Sequence, residues 1–234
     1  MTDTVARRLE EVRARIDRAC REAGRDPAEV RLVAVSKAHP AQAVREALAA
    51  GQVDFGESYA QELRDKAAEL GVGPSVGGTR TLPVWHFLGP LQRNKVRLVV
   101  GTAVLVHAVD SERLGRAIQD RSLPRRTPVL VEVNVGGEPT KHGVDPGSCL
   151  DLCRVLHGMP GLDLKGLMCI PPATDDPTRA ARFFRLLADL AAEGRARGLP
   201  LESLSMGMSQ DFEVAVACGA THVRVGTAIF GERS

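Results

Sequence analysis

The sequence predicts one α/β domain over residues 1–234, folded as a (β/α)8 TIM barrel with an extra helix at its N-terminus. Three observations carry this. Eight apolar runs of strand length occur along the chain. A helical pattern fits between each consecutive pair. No G-x-G-x-x-G turn follows the first strand, as an open doubly wound sheet would normally have. A chain of 234 residues is long enough to bury one large core, and no linker divides it.

Residues 4–23 read as an amphipathic helix. Val5, Leu9, Val12, Ile16 and Ala19 recur at spacings of three and four, and Gly24 and Pro27 end the pattern. Strands are predicted near 31–37, 53–57, 84–89, 104–110, 128–135, 162–170, 203–209 and 222–230. Helices are predicted at 40–50, 58–70, 91–97, 111–121, 146–157, 177–197 and 210–218. Gly71 to Gly78 is the most loop-like stretch.

Bulk properties exclude several classes of function. A formal net charge of +2 gives no push toward nucleic acid or an anionic membrane. The basic cluster from Leu91 to Arg97 has no interleaved aromatic residue and reads as a solvated helix face. The longest apolar stretch, Leu98 to Val109, is broken by Gly101 and His107 and is too short to span a bilayer. The five scattered cysteines contain no C-x-x-C and predict reduced thiols, not a disulfide framework or a zinc site. With no signal-peptide pattern at the N-terminus, the chain is expected to be cytoplasmic.

A barrel keeps its chemistry at the C-terminal ends of its strands. Strand 1 ends in Ser36-Lys37-Ala38-His39. A lysine there is either an ordinary cation or, if partly desolvated, an amine able to capture an aldehyde. Strands 7 and 8 supply Ser209 and the Arg224–Thr227 segment, where barrels often bind phosphate. Ser209 is equally suited to be a plain helix cap, Gly226 a close-packing glycine and Arg224 a partner in a salt bridge across the barrel. Taken together, they favour a ligand with a phosphate at one end and an aldehyde at the other. Pyridoxal 5′-phosphate is such a ligand. Arg224 then projects toward its ring nitrogen and, as a guanidinium that only donates, would keep that nitrogen unprotonated.

The segments VAVSK (33–37), DFGES (54–58), WHFLGPLQRNK (85–95), NVGGEPTKHG (134–143), GLMCIPP (166–172), SMGMSQDFEVAV (205–216) and VRVGTAIFGER (223–233) resemble the pyridoxal phosphate homeostasis protein family. That family is similar to the N-terminal barrel of alanine racemase and to other fold-type III pyridoxal phosphate proteins. The resemblance covers nearly the whole chain. It implies that Lys37 holds the cofactor as an internal aldimine, that Ser209, Gly226 and Thr227 hold the phosphate, and that Arg224 faces the ring nitrogen. It also implies that Asn134, His86 and Met208 line the pocket. One residue departs from the family pattern: Ser58 stands where Asn is usual, so no role is carried to that position.

The resemblance implies a role in vitamin B6 and amino-acid homeostasis, with apo-enzymes as recipients of the cofactor. The alternative is a weak amino-acid racemase. Racemases of this kind take a second base from a further domain, and the chain stops at Ser234, soon after the predicted strand 8. His39 and His86 are read as rim residues and not as that base. A monomeric carrier with no assigned catalytic residue is therefore expected.

Overall fold

A computed structural model describes residues 4–73 and 81–232. Eight parallel strands close into a barrel in sequence order, with the first paired to the last. They are β1 (Arg31–Val35), β2 (Asp54–Glu57), β3 (Val84–Phe87), β4 (Ala103–Val109), β5 (Thr127–Glu132), β6 (Leu162–Met168), β7 (Ser203–Ser205) and β8 (His222–Val225). The helices are α1 (Val5–Glu22), α2 (Ala41–Ala49), α3 (Ala60–Leu70), α4 (Glu112–Ser122), α5 (Cys149–His157), α6 (Pro177–Ala196), α7 (Phe212–Ala217) and α8 (Thr227–Phe230).

The first helix forms as its spacing predicts. Thr4 caps it through a hydrogen bond from the Arg7 N–H at 3.3 Å, and Val5, Leu9, Val12, Ile16, Ala19 and Cys20 are buried. It packs against α2, α7 and α8. Arg15 bonds Glu213 at 2.6 Å and lies over the Phe212 ring at 4.5 Å. This helix covers the wall where α8 is only one turn long.

Three elements differ from expectation. Residues 93–98 form a 3-10 helix and not an α-helix, because Pro90 and Gly101 confine the segment to a length that barely nucleates α structure. Residues 227–230 form α8 and do not extend the last strand: the Ile229 and Phe230 N–H groups both donate to the Gly226 carbonyl, at 2.8 and 2.9 Å. A short apolar run has no period long enough to separate strand from helix. Strand β7 likewise stops at Ser205, four residues earlier than expected. The latter part of the expected loop, 74–78, lies outside the described residues.

The main core lies between the barrel wall and the helices. It takes Phe55, Trp85, Phe87, Val129, Val131, Val223 and Val225 from the strands. Side chains alternate along a strand, so their sequence neighbours face the barrel axis. Leu105, Ala108, Leu130 and Met168 form a separate apolar cluster there. Asp54, His86, Ser205 and Arg224 also occupy inward positions: the last three are flanked on both sides by residues of the outer core, and Asp54 is followed by Phe55.

Candidate functional site

Two adjoining cavities open at the C-terminal ends of the strands. The first has a volume of about 270 Å³ and is lined by Lys37, Met208, Ser209, Arg224, Gly226 and Thr227, among others. The second, about 680 Å³, includes Lys37, Tyr59, Asp110, Glu132, Lys141 and His142. Lys37, Ser58, Leu88 and Ile170 belong to both walls. Together they reach the size of an ordinary small-molecule cleft.

Lys37 is half-buried where the chain leaves β1. The backbone around it is braced from α3 and β2. Lys66 donates to the Ser36 carbonyl at 2.6 Å, to Glu57 at 2.7 Å and to Glu62 at 2.8 Å. The Ser36 hydroxyl donates to Glu57 at 2.6 Å, and the Ala38 N–H donates to Glu62 at 2.8 Å. Ala38 has φ of +60°, an unfavourable conformation for a side chain with a Cβ, so the contacts on both sides hold it there. Burial pushes Glu57 up to about 7, although the Lys66 ammonium and the Ser36 hydroxyl oppose the rise.

Ser209 and α8 form the second group. The Thr227 hydroxyl donates to Ser209 Oγ at 3.1 Å, and the Ala228 N–H reaches the same oxygen at 3.4 Å. The Met208 N–H donates to Asp211 at 2.6 Å, which fixes the loop after β7. Hydroxyl and amide donors of this kind suit phosphate oxygens.

Arg224 is almost completely buried on β8. Its Nη1 donates to Ser205 Oγ at 2.7 Å and its Nη2 to the Cys169 carbonyl at 2.8 Å. Burial lowers its pKa, and Cys169, Glu132 and Asp211 oppose that change. Glu132 is pushed up to about 7 by burial and by Asp110, against the pull of Arg224.

The residues expected at the site separate into two sets. Lys37, Met208, Ser209, Arg224, Gly226 and Thr227 converge on one cavity. His86 and Asn134 are absent from the described walls of both cavities. His86 points into the barrel, where its Nε2 lies 3.0 Å from Asp54, because the apolar Trp85 and Phe87 on either side face the outer core. The Asn134 amide instead closes its own loop, donating to the Glu138 carbonyl at 2.8 Å. His39 stacks on Phe230 with ring centroids 5.3 Å apart. Ser58, given no role from sequence, is in the wall of both cavities; its place directly after the second strand was the available signal.

Residues 8–234 match the family profile described as "Alanine racemase, N-terminal domain". A protein from Pseudomonas aeruginosa named "Pyridoxal phosphate homeostasis protein" is 44% identical, over 98% of this chain and 96% of its own. The chain belongs to the pyridoxal phosphate homeostasis protein family. A family member of the same name from Aquifex aeolicus is 41% identical over 97% of both chains. The structure of PipY from Synechococcus elongatus with pyridoxal phosphate bound is similar, with a TM-score of 0.82 and 37% identity. The similarity covers 97% of this chain and 100% of PipY. Among the described residues, no helix is long and apolar enough to cross a membrane, and no cluster of His, Cys, Asp and Glu could hold a metal ion.

Proposed function

We propose that this protein binds pyridoxal 5′-phosphate reversibly and serves the homeostasis of that cofactor. The observation that carries the reading is a single cavity lined by Lys37, Arg224 and the Ser209–Thr227 donor group. Their chemistry fits the ligand: an amine for an aldehyde, a permanent cation for a ring nitrogen, and hydroxyl and amide donors for a phosphate. PipY, 37% identical, is known with pyridoxal phosphate bound, which supports the same assignment.

When bound, the cofactor supplies an aldehyde for Schiff-base formation with Lys37 and an electron-withdrawing ring. The chain's own residues bind and orient it. Arg224 only donates, so it leaves the ring nitrogen unprotonated and the ring a weak electron sink. That property suits holding and release more than turnover. In this reading the protein is cytoplasmic, and apo-enzymes receive the cofactor it releases.

The deciding experiment is spectroscopic. Purified protein titrated with pyridoxal phosphate develops the visible absorption of a protein Schiff base, and Lys37→Ala does not. Retention of that absorption in Lys37→Ala overturns the assignment.

A second reading, a weak amino-acid racemase, draws support from Glu132. Its carboxyl, held near neutrality, lines the cavity beside Lys37, as a general acid or base should. Turnover of one alanine enantiomer, lost in Lys37→Ala, would favour this reading over a pure carrier.

A further inference from the structure

The barrel interior contains a line of polar groups that joins its two ends. Arg224 Nη1 lies 2.7 Å from Ser205 Oγ, and Ser205 Oγ lies 2.8 Å from His107 Nδ1. His107 Nε2 lies 2.9 Å from His86 Nδ1, and His86 Nε2 lies 3.0 Å from Asp54 Oδ1. Asp54 is the first residue of β2 and also pairs with Arg31, the first residue of β1, at 2.9 Å. Arg224 opens onto the cavity at the opposite end.

We propose that Asp54 clamps Arg224 through a one-way chain of hydrogen bonds across the barrel, with Ser205, His107 and His86 as positioning residues. The link to a cofactor rests on the assignment of Arg224 to its ring nitrogen. The direction of the chain does not.

Donor and acceptor bookkeeping fixes that direction. A guanidinium only donates, and a carboxylate only accepts. His86 must therefore carry its proton on Nε2 to donate to Asp54. A neutral ring has one proton, so His86 Nδ1 accepts from His107 Nε2–H. His107 Nδ1 then accepts from the Ser205 hydroxyl, and the lone pairs of that oxygen are left for Arg224. Each proton is used once and no histidine is charged. The reverse direction needs a cationic His86 and takes the Ser205 proton out of the chain.

The surroundings favour neutral rings at His107 and His222. His107 has no exposed surface, and burial above all holds its pKa well below the ordinary range. His222 packs against both rings, with centroids 6.1 Å from His86 and 5.9 Å from His107, and burial takes it to about 3. The one carboxylate in the chain, Asp54, is held below its usual value: burial raises it, and hydrogen bonds from His86 and the Arg31 guanidinium lower it.

The consequence lies in Arg224. While its proton is committed to His107, the Ser205 hydroxyl keeps its lone pairs turned toward the guanidinium. Removing the ring nitrogens of residue 107 lets that hydroxyl rotate and loosens the arginine.

Two readouts on the cofactor-free protein test the clamp. In long-range proton–nitrogen spectra of ¹⁵N-histidine-labelled wild type at about pH 8, His86 and His107 should both be neutral Nε2–H tautomers. An Nδ1–H tautomer at either ring, or a cationic His86 at that pH, overturns the proposal. Exchange of the Arg224 guanidinium protons should quicken about tenfold or more in Ser205→Ala and His107→Phe, and stay slow in Ser205→Thr. Unchanged exchange in folded Ser205→Ala overturns it. The wild-type spectrum is decisive even if His107→Phe fails to fold.

A third readout uses ring-¹⁵N pyridoxal phosphate. Its nitrogen shift should move, and its affinity fall about tenfold, in Ser205→Ala but not in Ser205→Thr. A wild type that binds no pyridoxal phosphate refutes the cofactor assignment, while the first two readouts still decide the clamp.

Discussion

Lys66 Nζ lies 2.6 Å from the carbonyl oxygen of Ser36, one residue before the lysine at the cavity. Both Lys66 and its partner Glu57 are buried, so the contact ties a buried ion pair to the local backbone. Replacing Lys66 with Met removes the cation and leaves Glu57 buried beside the Ser36 hydroxyl. Breaking a buried pair from one side typically costs about 3–5 kcal/mol. Denaturant unfolding of Lys66→Met should show a loss of that order, and the folded fraction should bind pyridoxal phosphate more weakly.

Ala38 tests the same turn from its backbone. Its φ of +60° suits glycine and is poor for a β-branched residue. Ala38→Gly should change stability by less than about 1 kcal/mol, because relief of strain and added chain entropy oppose each other. Ala38→Val should destabilise by about 1–3 kcal/mol. Equal thermal midpoints for the two variants would contradict the brace.

Ser209 predicts a difference between ligands. If its hydroxyl holds phosphate, Ser209→Ala should weaken pyridoxal phosphate binding about tenfold and leave pyridoxal, which lacks the phosphate, unaffected. Titration of both ligands against both proteins gives the ratio directly. A parallel loss for the two ligands places Ser209 elsewhere in recognition.

Glu132 makes stability depend on pH. Its carboxyl rises from 4.5 to about 7 on folding, through burial and Asp110, with Arg224 opposing. The folded state therefore holds its proton more tightly than the unfolded state. This contribution is complete below pH 4.5, declines as pH rises toward 7, and is absent above it. Glu132→Gln keeps the neutral form at every pH. Relative to wild type it should gain stability at pH 8, by at most about 3 kcal/mol, and little at pH 4.5. Glu57 is raised in the same direction, so the comparison is made against wild type at each pH.

The sequence was most informative where periodicity and position agree. The spacing of Val5, Leu9, Val12, Ile16 and Ala19 located α1, and the apolar runs located all eight strands. Lys37, Ser209 and Arg224 were legible as strand ends, and the structure brings them to one cavity. Ile229 and Phe230 misled because they extend an apolar run across Gly226, where the backbone turns into a helix. His86 misled for a different reason. Its motif places it near the site, but alternation with Trp85 and Phe87 points it along the barrel interior. The same alternation marks Ser205 and Arg224 as inward polar groups. The pairing of the inward polar groups depends on register between neighbouring strands and, for His107 and Ser205, on a contact across the barrel, which no single strand reveals.

Helix α1 precedes every strand of the barrel, yet its partners α7 and α8 flank the last of them. Until they exist, its apolar stripe has α2 to cover it but not the rest of its seat, and β1 lacks its β8 neighbour. The two ends of the barrel wall must therefore meet late, across nearly the whole contour of the chain. Such distant pairings fold slowly and leave apolar surface exposed in the meantime. This helix acts as a latch over the last seam to form, so loss of the first turns of α1 should be felt first as aggregation during refolding.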